Sequence, residues 1–182
     1  MIDSVREFII WEGNGDLLDF GCGDGQCGKL AESVGARVVY ADIYKHQNLK
    51  NKKLPFKNES FDIVVSEDCI EHFGNHELFY EELKRITRRG GKIILATSNI
   101  HNWYSRLLFL LTGKIIWFND SLQHVESHIR PLILEIAETE LQSVFGKNNV
   151  KFIYEDSTIP LIHWKLPLNK HTGREMVILL NR

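Results

Sequence analysis

Apolar positions fall into two rhythms along the chain. Short apolar runs bounded by polar or glycine residues predict strands at Leu17-Leu18-Asp19-Phe20, Val38-Val39-Tyr40, Phe61 to Ser66, Ile93 to Ala96, Val150 to Tyr154 and Met176 to Leu180. Leu54-Pro55-Phe56 predicts one more, short strand. Between these runs, apolar residues recur at helical spacing. Residues 3–11 place Val5, Phe8 and Ile9 on one face before Gly13-Asn14-Gly15 breaks the pattern, and the stretch after Gly25 aligns Cys27, Leu30, Ala31 and Val34 until Gly35. Asn75 is a candidate N-cap for a helix with Phe79, Leu83 and Ile86 in one stripe. Its C-terminal end carries Lys84, Arg85, Arg88 and Arg89, where cations complement the helix dipole, and Gly90-Gly91 supplies the following turn. Pro131 opens a last amphipathic helix bearing Ile133, Ile136, Ala137, Leu141, Val144 and Phe145, closed by Gly146.

This alternation, with a central run apolar on both faces at Phe61 to Ser66, predicts an α/β protein built on a largely parallel sheet. Residues 98–130 break the alternation with Trp103, Tyr104, a Leu107–Leu111 apolar run and Ile115-Ile116-Trp117-Phe118. Long excursions of this kind tend to be functional, and this one follows strand ends where such sheets bind ligands, so it is read as a substrate cover inserted in one domain spanning 1–182. Extra core and peripheral membrane contact through 103–118 are the competing readings of the same stretch. Residues 44–58 are lysine-rich and short on apolar periodicity, and read as a solvated loop rather than an RNA contact.

Composition narrows the classes further. A chain of 182 residues supports one substantial core; 43% hydrophobic and 25% charged residues match a globular protein, and a net charge of -2 offers no bulk attraction to nucleic acid or anionic membrane. The three cysteines, Cys22, Cys27 and Cys69, are odd in number and lack metal-ligand spacing, which argues against a disulfide framework or zinc site and for a reducing cytoplasm. No apolar run is long enough to span a bilayer, and residues 1–8 do not read as a signal peptide.

The chemistry concentrates at Asp19-Phe20-Gly21-Cys22-Gly23-Asp24-Gly25, a strand entering a glycine turn and then a helix, where backbone can approach a ligand. A dinucleotide fingerprint would need glycine where Gln26 stands. With Asp42 closing the second strand, Leu54-Pro55-Phe56, Ser60 to Ser66, Glu71-His72-Phe73 and Arg89 to Leu95 following in order, residues 16–97 resemble the Rossmann-like (class I) S-adenosylmethionine (SAM) dependent methyltransferases. The resemblance implies a doubly wound, seven-stranded sheet of order 3-2-1-4-5-7-6 with an antiparallel last strand, and SAM as cofactor with S-adenosylhomocysteine as product. It implies a cofactor site drawn from Asp19, Gly21, Cys22, Gly23, Gly25, Asp42, Ile43, Leu54, Ser66 and Glu67, with Asp42 on the ribose and Asp19 toward the methionyl end.

Methyl transfer is an in-line displacement from a good leaving group, so alignment and water exclusion carry much of it; a base matters when the acceptor must lose a proton. His72, His101 and Tyr104 are the candidates for that step. His124 and His128 do not reproduce a metal-binding H-E-x-x-H order, and no metal is expected. The segment after Ser66 lacks the Asn/Asp-Pro-Pro-aromatic and Pro-Cys motifs of DNA methylases, so DNA is not the expected partner. The reading is therefore methylation of an oxygen or nitrogen on a small-molecule acceptor, with a protein or RNA acceptor, or a non-catalytic SAM-binding sensor or partner subunit, as the alternatives.

Overall fold

A computed structural model describes the chain apart from residues 1, 13, 43–52, 117, 119–127 and 159–164. Its elements run α1 (Asp3–Glu12), β1 (Asp16–Phe20), α2 (Gln26–Ser33), β2 (Arg37–Ala41), β3 (Phe61–Glu67), α3 (His76–Ile86), β4 (Thr87–Ser98), α4 (Trp103–Thr112), α5 (Leu134–Phe145), β5 (Val150–Glu155) and β6 (Glu175–Asn181). The six strands form one sheet in the order β2-β1-β3-β4-β6-β5. Pairs β2·β1, β1·β3 and β3·β4 are parallel, and β6 runs antiparallel between β4 and β5.

Period-two alternation divides the core between the two faces of this sheet. Leu17, Ile63, Val65, Ile94 and Val177 pack with Val5 and Ile9 of α1 and Cys27 and Ala31 of α2. Leu18, Phe20, Val64, Ile93, Leu95 and Ile178 pack with Phe79, Leu83 and Ile86 of α3 and Ala137, Leu141 and Phe145 of α5. Helices on both faces make the fold doubly wound, as expected.

Four details depart from the sequence reading. The expected strand at Leu54–Phe56 is absent: these residues are irregular, so the described sheet has six strands and lacks that edge. Both backbone polar groups of Leu54 are held by α3, its N–H donating to Glu82 (2.7 Å) and its C=O accepting from Arg85 (3.1 Å), which leaves neither for a strand partner. Second, α3 ends at Ile86 and β4 begins at Thr87. Arg88 and Arg89 thus lie on the strand, in a stretch where β4 bulges against Phe61 and Ile63, instead of capping the helix dipole. Third, α5 starts at Leu134, three residues past Pro131, and Ile133 and Ile136 lie exposed. Fourth, Val34 lies beyond α2 and is exposed.

Asn75 caps α3 as expected, accepting from the Leu78 N–H at 3.0 Å. Among the described residues no helix is long and apolar enough to cross a membrane. Within the expected cover, α4 is capped by Asn102 and leaves Leu107, Phe109, Leu110 and Leu111 exposed.

Candidate functional site

The glycine turn follows β1 and meets the C-terminal end of β2 and the segment after β3. Gly21 and Cys22 both donate backbone N–H groups to Ala41 C=O at the end of β2 (2.7 and 3.2 Å), and the Gly25 N–H closes the turn on Cys22 C=O (2.6 Å). The glycines are required for different reasons. Gly21 has φ +79°, and a Cβ there would come within 2.6 Å of the Cys69 sulfur, so this glycine lets the segment after β3 press against the turn. Gly23 has φ +48°, and a Cβ there would meet nothing within 4 Å among the described residues. Bare backbone with that clearance is the geometry a bound ligand requires.

Asp19 is buried and accepts from the Gly28 N–H at 2.8 Å, which ties β1 to the first turn of α2. Burial pushes its carboxyl up to about 6, against the pull of that hydrogen bond. Asp42 follows β2 directly and is buried at the strand end. Ile43 lies outside the described residues. Cys22 is a half-buried thiol in the turn. Ser66, near the end of β3, has a buried hydroxyl with no hydrogen-bond partner among the described residues apart from its approach to the Cys69 thiol. Glu67 accepts from the Ile2 N–H (2.7 Å) and the Cys27 thiol (3.4 Å), placing it on the α1/α2 face. Leu54 is buried with its backbone already engaged by α3.

The three candidates for proton removal separate. His101 is a clamp: its Nε2 accepts from the Leu134 N–H at 3.0 Å, joining the segment after β4 to the start of α5. Burial also lowers its pKa. Tyr104, in the first turn of α4, packs edge-on against Trp103. His72 is buried in a single 3-10 turn, Ile70–His72, just past the Gly21–Cys69 contact.

Around His72 the structure gathers partners that sequence spacing did not reveal. The buried Glu71 accepts from the Thr97 hydroxyl (3.2 Å) through Oε2, and its Oε1 lies 3.8 Å from His128 Nε2. The Glu71 backbone C=O accepts from both Ile129 and Arg130 N–H groups (2.9 and 3.2 Å), which brings His128 alongside. The His72 and His128 rings meet edge to face, 4.9 Å between centroids. The sequence reading paired His128 with His124, which lies outside the described residues; the partner found is the Glu71-His72 dipeptide.

Charge at this end is strongly acidic. A cavity of about 660 Å³ has Glu67, Asp68, Glu155, Asp156 and Glu175 against Lys165 in its lining. Burial pushes Glu175 up to about 7, reinforced by Asp68, and Glu71 up to about 7. Apart from that cavity, whose lining includes neither residue, the glycine turn pairs open main chain at Gly23 with a buried carboxylate at Asp42, donors and acceptors suited to SAM, which carries an amino-acid tail and two ribose hydroxyls.

Residues 18–95 match the family model described as "Methyltransferase domain". The ubiquinone biosynthesis O-methyltransferase of Rhizobium etli is 28% identical over 138 residues, 65% of this chain and 56% of that protein. The protein of the same name from Pelagibacter ubique is 25% identical over 154 residues, 74% of this chain and 60% of that one. The chain thus spans little more than half the length of these relatives. Among solved structures, a SAM-dependent methyltransferase from Archaeoglobus fulgidus aligns with TM-score 0.69 at 16% identity, covering 99% of this chain and 92% of that one. One from Mesorhizobium loti aligns with TM-score 0.60 at 12% identity, covering 99% and 96%. At these identities the solved structures establish the shared fold.

Proposed function

We propose that this chain is a class I SAM-dependent methyltransferase, as its match to the methyltransferase domain model over residues 18–95 supports, and that it transfers a methyl group from SAM to an oxygen or nitrogen of a small-molecule acceptor. The observation that carries the reading is the turn at Gly23, open where a methionyl tail would lie, beside the buried carboxylate of Asp42. The names of the curated relatives, O-methyltransferases of ubiquinone biosynthesis, support a small-molecule acceptor.

Bound SAM supplies an electrophilic methyl on a sulfonium that leaves readily. The chain's residues then hold and align. Asp42 takes the ribose hydroxyls, Gly23 lets the main chain approach the amino-acid tail, and the Ser66 hydroxyl gains a stronger partner than the Cys69 thiol. Asp19 fixes the angle between β1 and α2 through Gly28 and lends negative charge behind the turn. Residues 98–130, with α4 inside them, serve as the acceptor's cover within one domain, excluding water from the displacement. Proton removal from the acceptor falls to the group around His72, because the Nε2 of His101 already holds the Leu134 amide.

The test is methyl-labelled SAM offered with phenols, catechols and amines in one set, and RNA and protein in another. The reading expects S-adenosylhomocysteine to form with members of the first set. Label transferred to RNA or protein alone would establish the macromolecular alternative, and tight SAM binding with no product in either set would establish the non-catalytic one.

A further inference from the structure

Glu71, His72 and His128 each present one donor atom, and these atoms all lie within 4.8 Å of one another. We propose that they bind a divalent first-row transition ion, of the zinc type, at the turn that follows β3.

Donor chemistry selects this class of ion. Two imidazoles and one carboxylate form a borderline set that suits zinc and its first-row neighbours, whereas magnesium and calcium favour all-oxygen sites. Ligands about 2.1 Å from a tetrahedral zinc stand about 3.4 Å apart, so the present spacing needs a closure on the order of 1 Å. The 3.8 Å between Glu71 Oε1 and His128 Nε2 is already close to that value.

The supports around the ligands are those a metal centre needs. Thr97 donates to Glu71 Oε2, which orients the carboxylate and leaves Oε1 on the His128 side. The Glu71 carbonyl holds Ile129 and Arg130, so His128 is delivered by main chain rather than by a long free side chain. Phe118 packs its ring against His128 with centroids 5.2 Å apart. Glu71 and His72 are buried while His128 is half-buried, so the cluster opens on the side from which an ion and an acceptor would enter.

Three protein ligands leave at least one coordination position vacant. An acceptor hydroxyl bound there would ionise more readily, its proton passing to solvent on the half-buried His128 side, and the resulting oxygen would take the methyl as the methyl–sulfur bond of SAM breaks to leave S-adenosylhomocysteine. In this arrangement His72 is a ligand rather than a general base. The acceptor role rests on the methyltransferase reading; metal binding does not.

The experiment is a calorimetric titration of the metal-stripped, full-length chain with Zn²⁺ alone, with Co²⁺ substitution to read ligand-field absorption in the visible. The proposal expects one high-affinity equivalent, a visible Co²⁺ spectrum, and at least a tenfold weaker Zn²⁺ affinity in both His128→Ala and Glu71→Gln. His128 is half-exposed, so its variant decides the matter should Glu71→Gln fail to fold. Absence of stoichiometric Zn²⁺ binding, or binding that neither variant weakens, overturns it. SAM affinity measured on the same metal-free protein separates the two claims: SAM bound without zinc leaves the methyltransferase reading standing, and zinc bound without SAM leaves the metal site standing.

Discussion

The two edges of the sheet treat charge in opposite ways. At the edge where the parallel strands begin, acids and bases are paired: Asp16 with Arg37 and Arg88 (2.8 and 2.9 Å), Asp62 with Arg88 (2.6 Å), and Glu59 with Arg182 (3.1 Å). There Arg37 and Arg88 hold the Asp16 carboxyl below its ordinary range. At the edge where the strands end, Asp19, Asp68, Glu71 and Glu175 are raised, chiefly by burial. One edge neutralises itself, and the other carries a standing excess of carboxylate that a cationic ligand would relieve. The difference is what a cation-binding end would show: Arg174 pairs with Asp156 and Lys165 lies in the same cavity, but the buried carboxylates there remain raised.

The contrast can be attacked at three strengths. Gly21→Ala should be the most damaging, since its Cβ would collide with Cys69 at a φ that L residues avoid; about 3 kcal/mol of stability should vanish in urea unfolding. A near-neutral result would mean the turn and the segment after β3 are not in contact. Glu175→Gln comes next. The folded protein holds the Glu175 proton up to about pH 7 while the unfolded chain releases it near its ordinary value, so stability falls as pH rises between about 4.5 and 7. The Gln variant should match the parent at pH 4 and exceed it by about 2 kcal/mol at pH 8; parallel pH curves would show that Glu175 carries no such burden. Arg88→Ala, at the paired edge, should do least. It should lower the melting temperature only slightly, by an amount that shrinks in high salt, and leave SAM affinity as it was. A change in SAM affinity would erase the division between the edges.

What the sequence made legible follows the range of the forces involved. Strands β1, β3, β4 and β6 were readable because consecutive apolar residues in a doubly covered sheet leave few other solutions, and the α3 cap was readable because Asn75 acts three residues away. Arg88 and Arg89 were misplaced because two glycines suggested a turn where β4 instead bulges and continues. The strand expected at Leu54–Phe56 failed for a tertiary reason, the capture of its backbone by Glu82 and Arg85. In the candidate site, the glycine turn and Asp42 were local and visible, but the clamp role of His101 depends on Leu134, and His128 reaches Glu71 only through the amides of Ile129 and Arg130. No spacing rule encodes a hydrogen bond across that distance in sequence. Gly21 also had a hidden reason, since a ligand-facing turn and a packing constraint look alike until Cys69 is located.

The central claim is that main chain at Gly23 and the carboxylate of Asp42 together hold SAM. It is tested most directly by calorimetric titration of SAM into the parent, Gly23→Ala and Asp42→Ala, with unfolding measured in parallel. The parent should bind one equivalent; Asp42→Ala should lose about 1.5 to 3 kcal/mol of binding free energy, roughly 10- to 150-fold in affinity, and Gly23→Ala at least tenfold, with both variants still folded. A parent that binds no SAM, or variants that bind it as tightly as the parent does, would contradict the account.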